Sequence, residues 1–362
     1  MARFHRGGKP SVRLLSMRRI AALLAICMAA GAPVVTGAQT ANSDAWNRTL
    51  AAAKTEGSVS VLVTEVPGWI ETQQNLFKAQ TGLTMNLLAR GANAVLQTRL
   101  TAEVQAKAVL TDVYEDVSRQ FFNDNLDWFV DLSKAGLPNW DKYPEAAKFK
   151  NVCADVKWSI SGVTYNTNIV TPDIVPKTWQ DLVHPRWKDR VVLSDPTPGG
   201  YYMQWALMMR EKFGPDYLKA VAALNATPMT SSVGAAQQVA SGAKALSFLS
   251  QVDSGSDVKA QGGPVAFAII ANPYVGSKAC VGIPKAAPHL NAAKVLVNFL
   301  MSAESQSAPC RKNIPNVSPI RAPGCYETPA DFQPPPVSDK GIYPGMDDEA
   351  LKTQALKELG LK

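Results

Sequence analysis

The sequence predicts an α/β protein, and its pattern and composition support this fold class. Two separate stretches alternate short apolar runs, typical of strands, with amphipathic segments that have the period of a helix. This alternation is the pattern of parallel strands covered by helices. The composition is that of a globular chain, with 46% hydrophobic and 19% charged residues among 362. A chain of this length can bury a large core without disulfides or metals.

The first stretch, about residues 44–116, predicts three helices and three strands. Asp44 can cap a helix that ends at Gly57. The alternating valines within residues 58–64 predict a strand with one apolar face. The elements that follow are a helix over 70–80, a strand over 83–89, a helix from Asn93 and a strand centred on Val113.

The second stretch, about residues 190–250, repeats this alternation. Its elements are a strand over 190–193, a turn over 195–200 that opens a helix, a helix capped by Asp216, a helix over 233–241 and a strand over 244–250. Beyond it we expect a strongly amphipathic helix over 288–301, an irregular proline-rich surface loop over 308–336 and a final helix over 347–361.

The first 38 residues have the order of a secretory leader. Six basic side chains and no acid precede an uncharged run over 20–35, and small residues at 36–38 suit cleavage near Ala38. The uncharged run is shorter than the roughly 20 residues that a membrane-spanning helix needs. Translation can start at Met1 or at Met17, since the residues before Met17 add little to the leader. We therefore expect an exported protein.

The leader also accounts for the basic character of the chain. The whole sequence has a net charge of +7, of which the leader contributes six, so the remainder is close to neutral. A nearly neutral chain has no basic field that would gather phosphates of DNA or RNA. We therefore expect no nucleic-acid partner.

Four cysteines remain after the leader: Cys153, Cys280, Cys310 and Cys325. An even number in an exported protein suggests disulfides, and four cysteines allow three connectivities. Cys310 and Cys325 enclose a short proline-rich loop, which favours that pair. Four reduced core cysteines are the alternative. Because no pair has the CxxC spacing, neither a zinc site nor a thioredoxin-type site is indicated.

An ordered set of short segments resembles one protein family. Residues 162–197 contain GVTYNT, PKTWQDL, HPRWK and VVLSDPT in this order, and VASG follows at 239–242. KAAPHLNAAK at 285–294, SAESQ at 302–306 and Ile314-Pro315 complete the set. Their order and spacing resemble type 2 periplasmic solute-binding proteins of ABC transporters, in the branch with receptors for ferric ion, phosphosugars, phosphonates and thiamine. The likeness spans nearly all of the chain after the leader.

The resemblance implies a two-lobed type 2 periplasmic-binding-protein fold, in which each lobe is a mixed sheet flanked by helices. Two crossing hinge strands would join lobe one, residues 39–160 plus 275–362, to lobe two, residues 161–274. It also implies that Cys153 and Cys280 lie on neighbouring strands, which makes them a plausible disulfide, with Cys310 and Cys325 as the second. A monomer in the periplasm, without a cofactor, would carry a small ligand to ABC permease subunits in the inner membrane.

In an open α/β sheet, ligands lie beyond the carboxyl ends of the strands. Arg90 follows a predicted strand and can pair with a carboxylate or phosphate, although a solvated arginine is the alternative. In the turn at 197–201, glycines and a free helix start suit an anion, although an ordinary capped turn has the same pattern. The predicted ligand-binding residues are Glu65, Trp69, Arg90, Asn93, Tyr165, Thr197, Gly199, Gly200, Tyr201, Tyr202 and Ser232.

Two kinds of residue in this set have an alternative structural role. Trp69, Tyr201 and Tyr202 could stack on a flat ligand, yet a single aromatic side chain is more often part of a core. Tyr201 and Tyr202 are adjacent in a predicted helix, so at most one of them can point directly into the cleft. Ser232 lies in a Thr-Ser-Ser run before a helix, where it could bind an anion or cap the helix.

Ferric ion is an alternative ligand that the residues disfavour. The ferric-binding relatives use two adjacent tyrosines beyond a strand of lobe two, whereas the matching stretch 247–253 contains no tyrosine. Only His184 and His289 remain after the leader, both within segments that look structural. Because ferric ion prefers phenolate and carboxylate oxygens, we predict a small organic anion instead and no metal site.

An enzyme is the less favoured function. The sequence contains no GxSxG, HExxH, Walker or dinucleotide-binding motif. The clustered acids Asp112, Glu115 and Asp116 are more typical of a loop that caps a helix than of an acid–base pair. A ligand-presenting subunit of an exported sensor system would have the same fold and cleft. Neighbouring permease and ATPase genes would favour transport, and a neighbouring histidine kinase gene would favour sensing.

Overall fold

The computed structural model describes residues 37–65, 67–91, 93–197, 200–251, 255–312, 316–327 and 343–361. Nearly all of the predicted leader lies outside these residues, as do Gly199 and Ile314-Pro315. Within the described ranges, no helix combines the length and apolar character required to cross a membrane.

The sheet of lobe one begins with three parallel strands. These are β1 (Ser58–Val63), β2 (Thr84–Arg90) and β3 (Val113–Asp116), with β1 in the middle. Beyond β3 the sheet continues with three strands, each antiparallel to the one before it. In order they are β10 (Gly276–Gly282), β5 (Cys153–Asn166) and β4 (Lys148–Phe149).

Six helices surround this sheet, and several of them bury apolar side chains in the core of the lobe. Phe77 and Phe299 show the contact: their ring centroids lie 5.2 Å apart within the core of the lobe. Glu56 accepts hydrogen bonds from the backbone N–H groups of Asn291 and Ala292 and so holds the start of one helix. The helices are α1 (Gly37–Glu56), α2 (Pro67–Thr81), α3 (Asn93–Gln105), α4 (Arg119–Asp124), α10 (Leu290–Leu300) and α11 (Ala303–Arg311).

Lobe two has a second parallel set and its own core. The strands β6 (Val191–Ser194), β7 (Thr227–Met229) and β8 (Leu246–Gln251) are parallel, and the second half of β5 runs antiparallel between β8 and β9 (Val265–Ile269). The core is rich in aromatic side chains, including Trp179, Trp187, Trp205 and Phe248. The helices are α5 (Trp179–Leu182), α6 (Gly200–Phe213), α7 (Pro215–Ala223), α8 (Ser232–Ala240) and α9 (Ser256–Ala260).

Two crossings made by strands join the lobes within the described residues. β5 runs continuously from one lobe into the other, and the chain returns through β9 and β10. Glycine is required where these strands approach closely, because a Cβ on Gly162 would lie 2.0 Å from the Ala268 carbonyl oxygen. A Cβ on Gly276 would lie 2.1 Å from the Ser159 carbonyl oxygen. The two-lobed α/β fold that the sequence predicted is therefore confirmed.

Both implied disulfides are present. Cys153 on β5 bonds Cys280 on β10, with 5.6 Å between their Cα atoms. Cys310 near the end of α11 bonds Cys325 in the segment that follows. This segment, residues 316–327, continues to the hinge, where Val317 exchanges two backbone hydrogen bonds with Trp158 of β5. The disulfide therefore closes a loop that lies beside the crossing strands.

Most predicted elements are confirmed with ends shifted by one to three residues, but two helix starts are wrong. The first helix begins at Gly37, so Asp44 lies inside α1 rather than at its cap. Gly214 occupies the cap position of α7, and Asp216 lies in the first turn, where its carboxylate accepts a hydrogen bond from Lys219. The predicted loop from 308 also starts later, because α11 continues to Arg311 with Pro309 inside it.

The C-terminal segment corrects the expected extent of lobe one. Residues 343–361 contain α12 (Glu349–Glu358), and the apolar side chains of Leu356 and Leu359 lie in the core of lobe two. Arg210 of α6 also forms an ion pair with Glu358, with 2.9 Å between nitrogen and oxygen. This segment belongs with lobe two because the apolar partners of its helix are on α6 and α7.

Candidate functional site

The candidate site is the cleft between the lobes, because both parallel strand sets end there. Parallel strands place their carboxyl ends at one edge, where α/β proteins bind ligands. In lobe one, Glu65, Arg90 and Glu115 lie at or just after the ends of three such strands. In lobe two the matching segments follow Ser194 and Gln251.

Two buried carboxyl groups and one lysine form the centre of the lobe-one edge. Glu65 is 4% exposed, and its Oε2 accepts a hydrogen bond of 2.6 Å from Nζ of Lys157, on the hinge strand β5. Glu115 is fully buried at the end of β3, and its Oε1 accepts hydrogen bonds from the hydroxyl and backbone N–H of Thr64. Its Oε2 has no hydrogen-bond partner among the described residues.

The protonation state of Glu115 follows from this burial. Loss of solvent raises the pKa of its carboxyl to about 8, and the nearby negative charge of Glu65 adds to the rise. The bonds from Thr64 and the charge of Lys157 act in the opposite direction. At neutral pH this carboxyl is therefore mainly neutral, with a hydroxyl that can donate a hydrogen bond.

The neighbouring acids have structural partners. Asp116 accepts hydrogen bonds from the Tyr114 hydroxyl, the Gln97 amide and the backbone N–H of Ser118, although burial raises the pKa of its carboxyl. Asp112 accepts the backbone N–H groups of Ser60 and His289 and thereby joins β1 to the start of α10. These contacts give the two aspartates structural roles, although Glu115 and Asp116 lie in β3 and not in the helix-capping loop that the sequence suggested.

A second buried ion pair holds the hinge. Asp155 on β5 accepts two hydrogen bonds from Arg119, the shorter of 2.6 Å, and one of 2.8 Å from the indole N–H of Trp158. Lys278 on β10 lies 6.0 Å from the centre of the Trp158 ring. Burial, followed by the positive charge of Arg119, lowers the pKa of Lys278 to about 8.

Arg90 differs from these cations. It is the last residue of β2, its side chain is exposed, and it makes no hydrogen bond or ion pair with the described residues. Asn93 is the half-buried first residue of α3, close along the chain. Lys157 is paired with Glu65, whereas Glu115 is mainly neutral. Neither carboxyl group therefore balances the positive charge of Arg90.

The lobe-two edge offers neutral donors. The backbone N–H of Thr197 donates to Oδ1 of Asp195 at 2.8 Å, which leaves the Thr197 side chain at the exposed tip of the turn. Gly200 opens α6 with φ of +60°, a conformation that favours glycine. Ser231 caps α8 by accepting the N–H of Gly234, so Ser232 is the first helical residue and not the cap.

The aromatic residues of the predicted set belong mainly to the cores. Trp69 is 3% exposed and lies in the core of lobe one, which favours the packing role over stacking on a ligand. Tyr201 and Tyr202 are half-buried against the core of lobe two, with ring centroids 5.2 Å apart. Tyr165 is half-buried beside the same core.

Sequence reasoning missed Lys157, which lies at the centre of the lobe-one edge. The signal was present, since a lysine interrupts the apolar run of a strand that is buried along most of its length. A cation is retained in such a strand where a buried carboxylate balances it. As for metals, the described residues contain no group of three or more histidine, cysteine or acidic side chains that could hold an ion.

Comparisons with known proteins agree with this architecture. The model of the family of bacterial extracellular solute-binding proteins matches residues 75–322. The solved substrate-binding protein of an ABC transporter from Agrobacterium tumefaciens is 18% identical with a TM-score of 0.71, over 85% of this chain and 96% of that one. No curated protein sequence matches the chain.

Two further solved structures have the same fold. The periplasmic binding protein AfuA from Actinobacillus pleuropneumoniae, with exogenous fructose-6-phosphate bound, is 17% identical with a TM-score of 0.63, over 84% of this chain and 99% of that one. Iron-bound HitA from Pseudomonas aeruginosa is 16% identical with a TM-score of 0.61, over 84% and 97%. Since the family model covers more than half of the sequence, the chain belongs to the family of bacterial extracellular solute-binding proteins.

Proposed function

We propose that this solute-binding protein takes up a small organic anion, a carboxylate or a phosphorylated compound, in the interlobe cleft. The observation that carries the proposal is Arg90, an exposed cation at the carboxyl end of β2 without an acidic partner among the described residues. A guanidinium in this position can hold a carboxylate or phosphate through two parallel hydrogen bonds.

The other groups of the cleft suit the same ligand. Neutral Glu115 can donate its hydroxyl to a ligand oxygen, and Thr197 and Gly200 can add a hydroxyl and a backbone N–H from lobe two. The phosphorylated sugar bound to AfuA is an anion of this kind. The iron bound to HitA is a less suitable cargo here, because the described part of 247–253 has no tyrosine to supply phenolate ligands.

The mechanism of such a receptor is conformational. A ligand held by both lobes favours their closure, which β5 and the β9–β10 crossing allow by bending at the hinge. Closure is favoured only by as much as the ligand binds the closed form more tightly than the open one. A periplasmic monomer in the closed form would then dock on ABC permease subunits, without a catalytic step or a cofactor.

A thermal-shift screen of residues 39–362 tests the ligand class. The panel contains organic acids, phosphorylated metabolites, polyamines, vitamins and metal salts. A ligand that binds only the folded protein stabilises it by about 2.7 kcal/mol at a hundredfold excess over Kd. We expect a shift with one anionic class and no turnover of the compound. Hits confined to polyamines or ferric salts would contradict the proposal, and a hit that is consumed would indicate an enzyme.

Arg90→Ala in the same protein should raise the Kd of the anionic hit about ten- to a hundredfold, because the ligand loses a charged hydrogen-bonding partner. Arg90→Lys should lose less, because it keeps the charge without the two parallel bonds. Isothermal titration gives the three Kd values, and urea unfolding should change little. Arg48→Ala, an exposed arginine on α1, is the matched control. An unchanged Kd in Arg90→Ala would remove Arg90 from the site.

A further inference from the structure

A cavity of about 720 Å³ lies between lobe two and the loop closed by the Cys310–Cys325 disulfide. Its lobe-two wall includes Thr164 on β5 and Phe267 on β9, and Tyr326 supplies part of the opposite wall. None of its lining residues belongs to the cleft set described above. Its volume is in the range of pockets that enclose small organic ligands, about 300–1,000 Å³.

The two aromatic walls of this cavity suit a flat apolar group. The rings of Phe267 and Tyr326 lie edge to face, with centroids 6.2 Å apart and planes at 89°. Tyr326 is half-buried, and burial raises the pKa of its phenol, so the ring remains neutral at physiological pH. The Cys310–Cys325 disulfide adds further apolar surface beside Tyr326.

Thr164 provides a polar group at the buried side. This residue is 2% exposed, and its hydroxyl has no hydrogen-bond partner among the described residues. Gly255 lies over it: a Cβ at that position would come within 3.3 Å of the Thr164 methyl carbon. Glycine is therefore needed where the chain packs closely on Thr164, and the Thr164 hydroxyl keeps a hydrogen-bonding capacity that a ligand could satisfy.

Lys259 provides a charge at the exposed side. It lies on α9 and lines the same cavity, and its exposed side chain makes no hydrogen bond or ion pair with the described residues. A cation, a buried hydroxyl and two aromatic side chains therefore line one amphipathic pocket. This combination selects for one anionic group, a flat body and a second polar group.

We infer that the cavity is a second ligand site, separate from the Arg90 cleft, for a small hydroxylated aromatic monocarboxylate. The carboxylate pairs with Lys259, the ring lies against Phe267 and Tyr326, and the ring hydroxyl bonds with Thr164. Since the walls come from both lobes, a bound acid contacts both of them.

The test measures Kd by isothermal titration of residues 39–362 with 4-hydroxybenzoate and with benzoate, which lacks the ring hydroxyl. The wild-type protein should bind 4-hydroxybenzoate about fivefold more tightly, the usual effect of one hydrogen bond. Thr164→Val should remove this preference by weakening 4-hydroxybenzoate alone. Lys259→Gln should weaken both acids by about threefold to tenfold, because it removes the charge that both share.

Matched controls separate this site from general effects and from the cleft. Ser247→Ala deletes another buried hydroxyl without a partner, directly opposite Thr164 on β8 but outside the cavity, and should leave both Kd values unchanged. Lys188→Gln removes an exposed lysine elsewhere in lobe two and should also have no effect. Arg90→Ala should retain full binding of 4-hydroxybenzoate.

Three results would overturn the inference. The first is no binding of either acid by the wild-type protein at 10 mM, a limit of about 2.7 kcal/mol in binding free energy. The second is a hydroxyl preference that survives Thr164→Val. The third is loss of 4-hydroxybenzoate binding in Arg90→Ala, which would place the acid in the cleft and leave the proposed function intact.

Discussion

The two edges that face the interlobe cleft are built from different chemistry. On the lobe-one side, buried charged groups occur in pairs, as in Glu65 with Lys157 and Asp155 with Arg119. On the lobe-two side, the buried polar groups at the strand ends are hydroxyls, such as Ser194, whose Oγ donates to backbone carbonyls of β8. A buried charge that loses its partner is costly, whereas a lost hydroxyl costs little. The buried polar groups of the lobe-one edge are therefore mainly charged pairs, and those of the lobe-two edge are hydroxyls.

The largest effect is expected from breaking a charged pair of lobe one. Lys157→Met leaves Glu65 buried next to Glu115 without its cation, so we expect the free energy of unfolding to fall by about 3–5 kcal/mol. Urea unfolding followed by tryptophan fluorescence measures this change. Lys148→Met is the control, because Lys148 pairs with Glu145, which is 87% exposed, and should lose less than about 1 kcal/mol. Equal losses in both variants would contradict the comparison.

The effect expected from Glu115→Gln comes next, because it depends on pH and reaches its full size only at the alkaline end of the range. The folded protein keeps a proton on Glu115 up to about pH 8, while the unfolded chain releases it near the ordinary pKa of 4.5. The contribution of Glu115 to wild-type stability therefore falls as pH rises from about 5 to 8, by at most about 1.4 kcal/mol per pH unit. Glutamine cannot titrate, so the variant should lose this slope and gain stability relative to wild type at high pH.

Urea unfolding at pH 5, 7 and 9 measures this slope. Asp131→Asn, at an exposed acid outside the cleft whose pKa is lowered by Ser133 and Lys134, is the comparison. Its contribution has the opposite sign, since that carboxylate stabilises the fold above its unfolded pKa and loses this effect as pH falls. A Glu115→Gln curve parallel to the wild-type curve would show that Glu115 is charged throughout.

The smallest effect is expected from the lobe-two side. Ser247 is buried with no partner for its hydroxyl among the described residues, so Ser247→Ala should change the free energy of unfolding by less than about 0.5 kcal/mol. The same urea measurement applies. A loss above about 1.5 kcal/mol would mean that this hydroxyl is hydrogen-bonded, and the contrast between the buried polar groups of the two lobes would become weaker.

Local patterns in the chain were sufficient for most of the fold. The alternating valines of β1, the apolar face of α10 and the glycine after α1 each predicted an element that the structure contains. Such signals are local because the periods of helix and strand repeat within a few residues. The start of α7 was misplaced because Gly214 occupies the cap position and Pro215 is the first helical residue, so the helix begins before Asp216.

The candidate site was predicted less completely than the fold. Arg90 and Glu65 were found because residues after parallel strands share one edge of a sheet. Lys157 was missed because its partner Glu65 is 92 residues away, and no local pattern connects them. Burial of Trp69 could not be separated from ligand stacking, since an aromatic residue at a helix start suits either role.

By itself, the sequence determined the order of elements, the resemblance to a family of solute-binding proteins and the position of an arginine at the end of the second strand. Only the tertiary structure decided that α12 packs on lobe two, that Lys157 balances Glu65, and that a cavity separates β9 from the Cys310–Cys325 loop. The reason is physical. Secondary structure follows from side chains close along the chain, whereas burial, charge pairing and cavities depend on groups that meet only after folding.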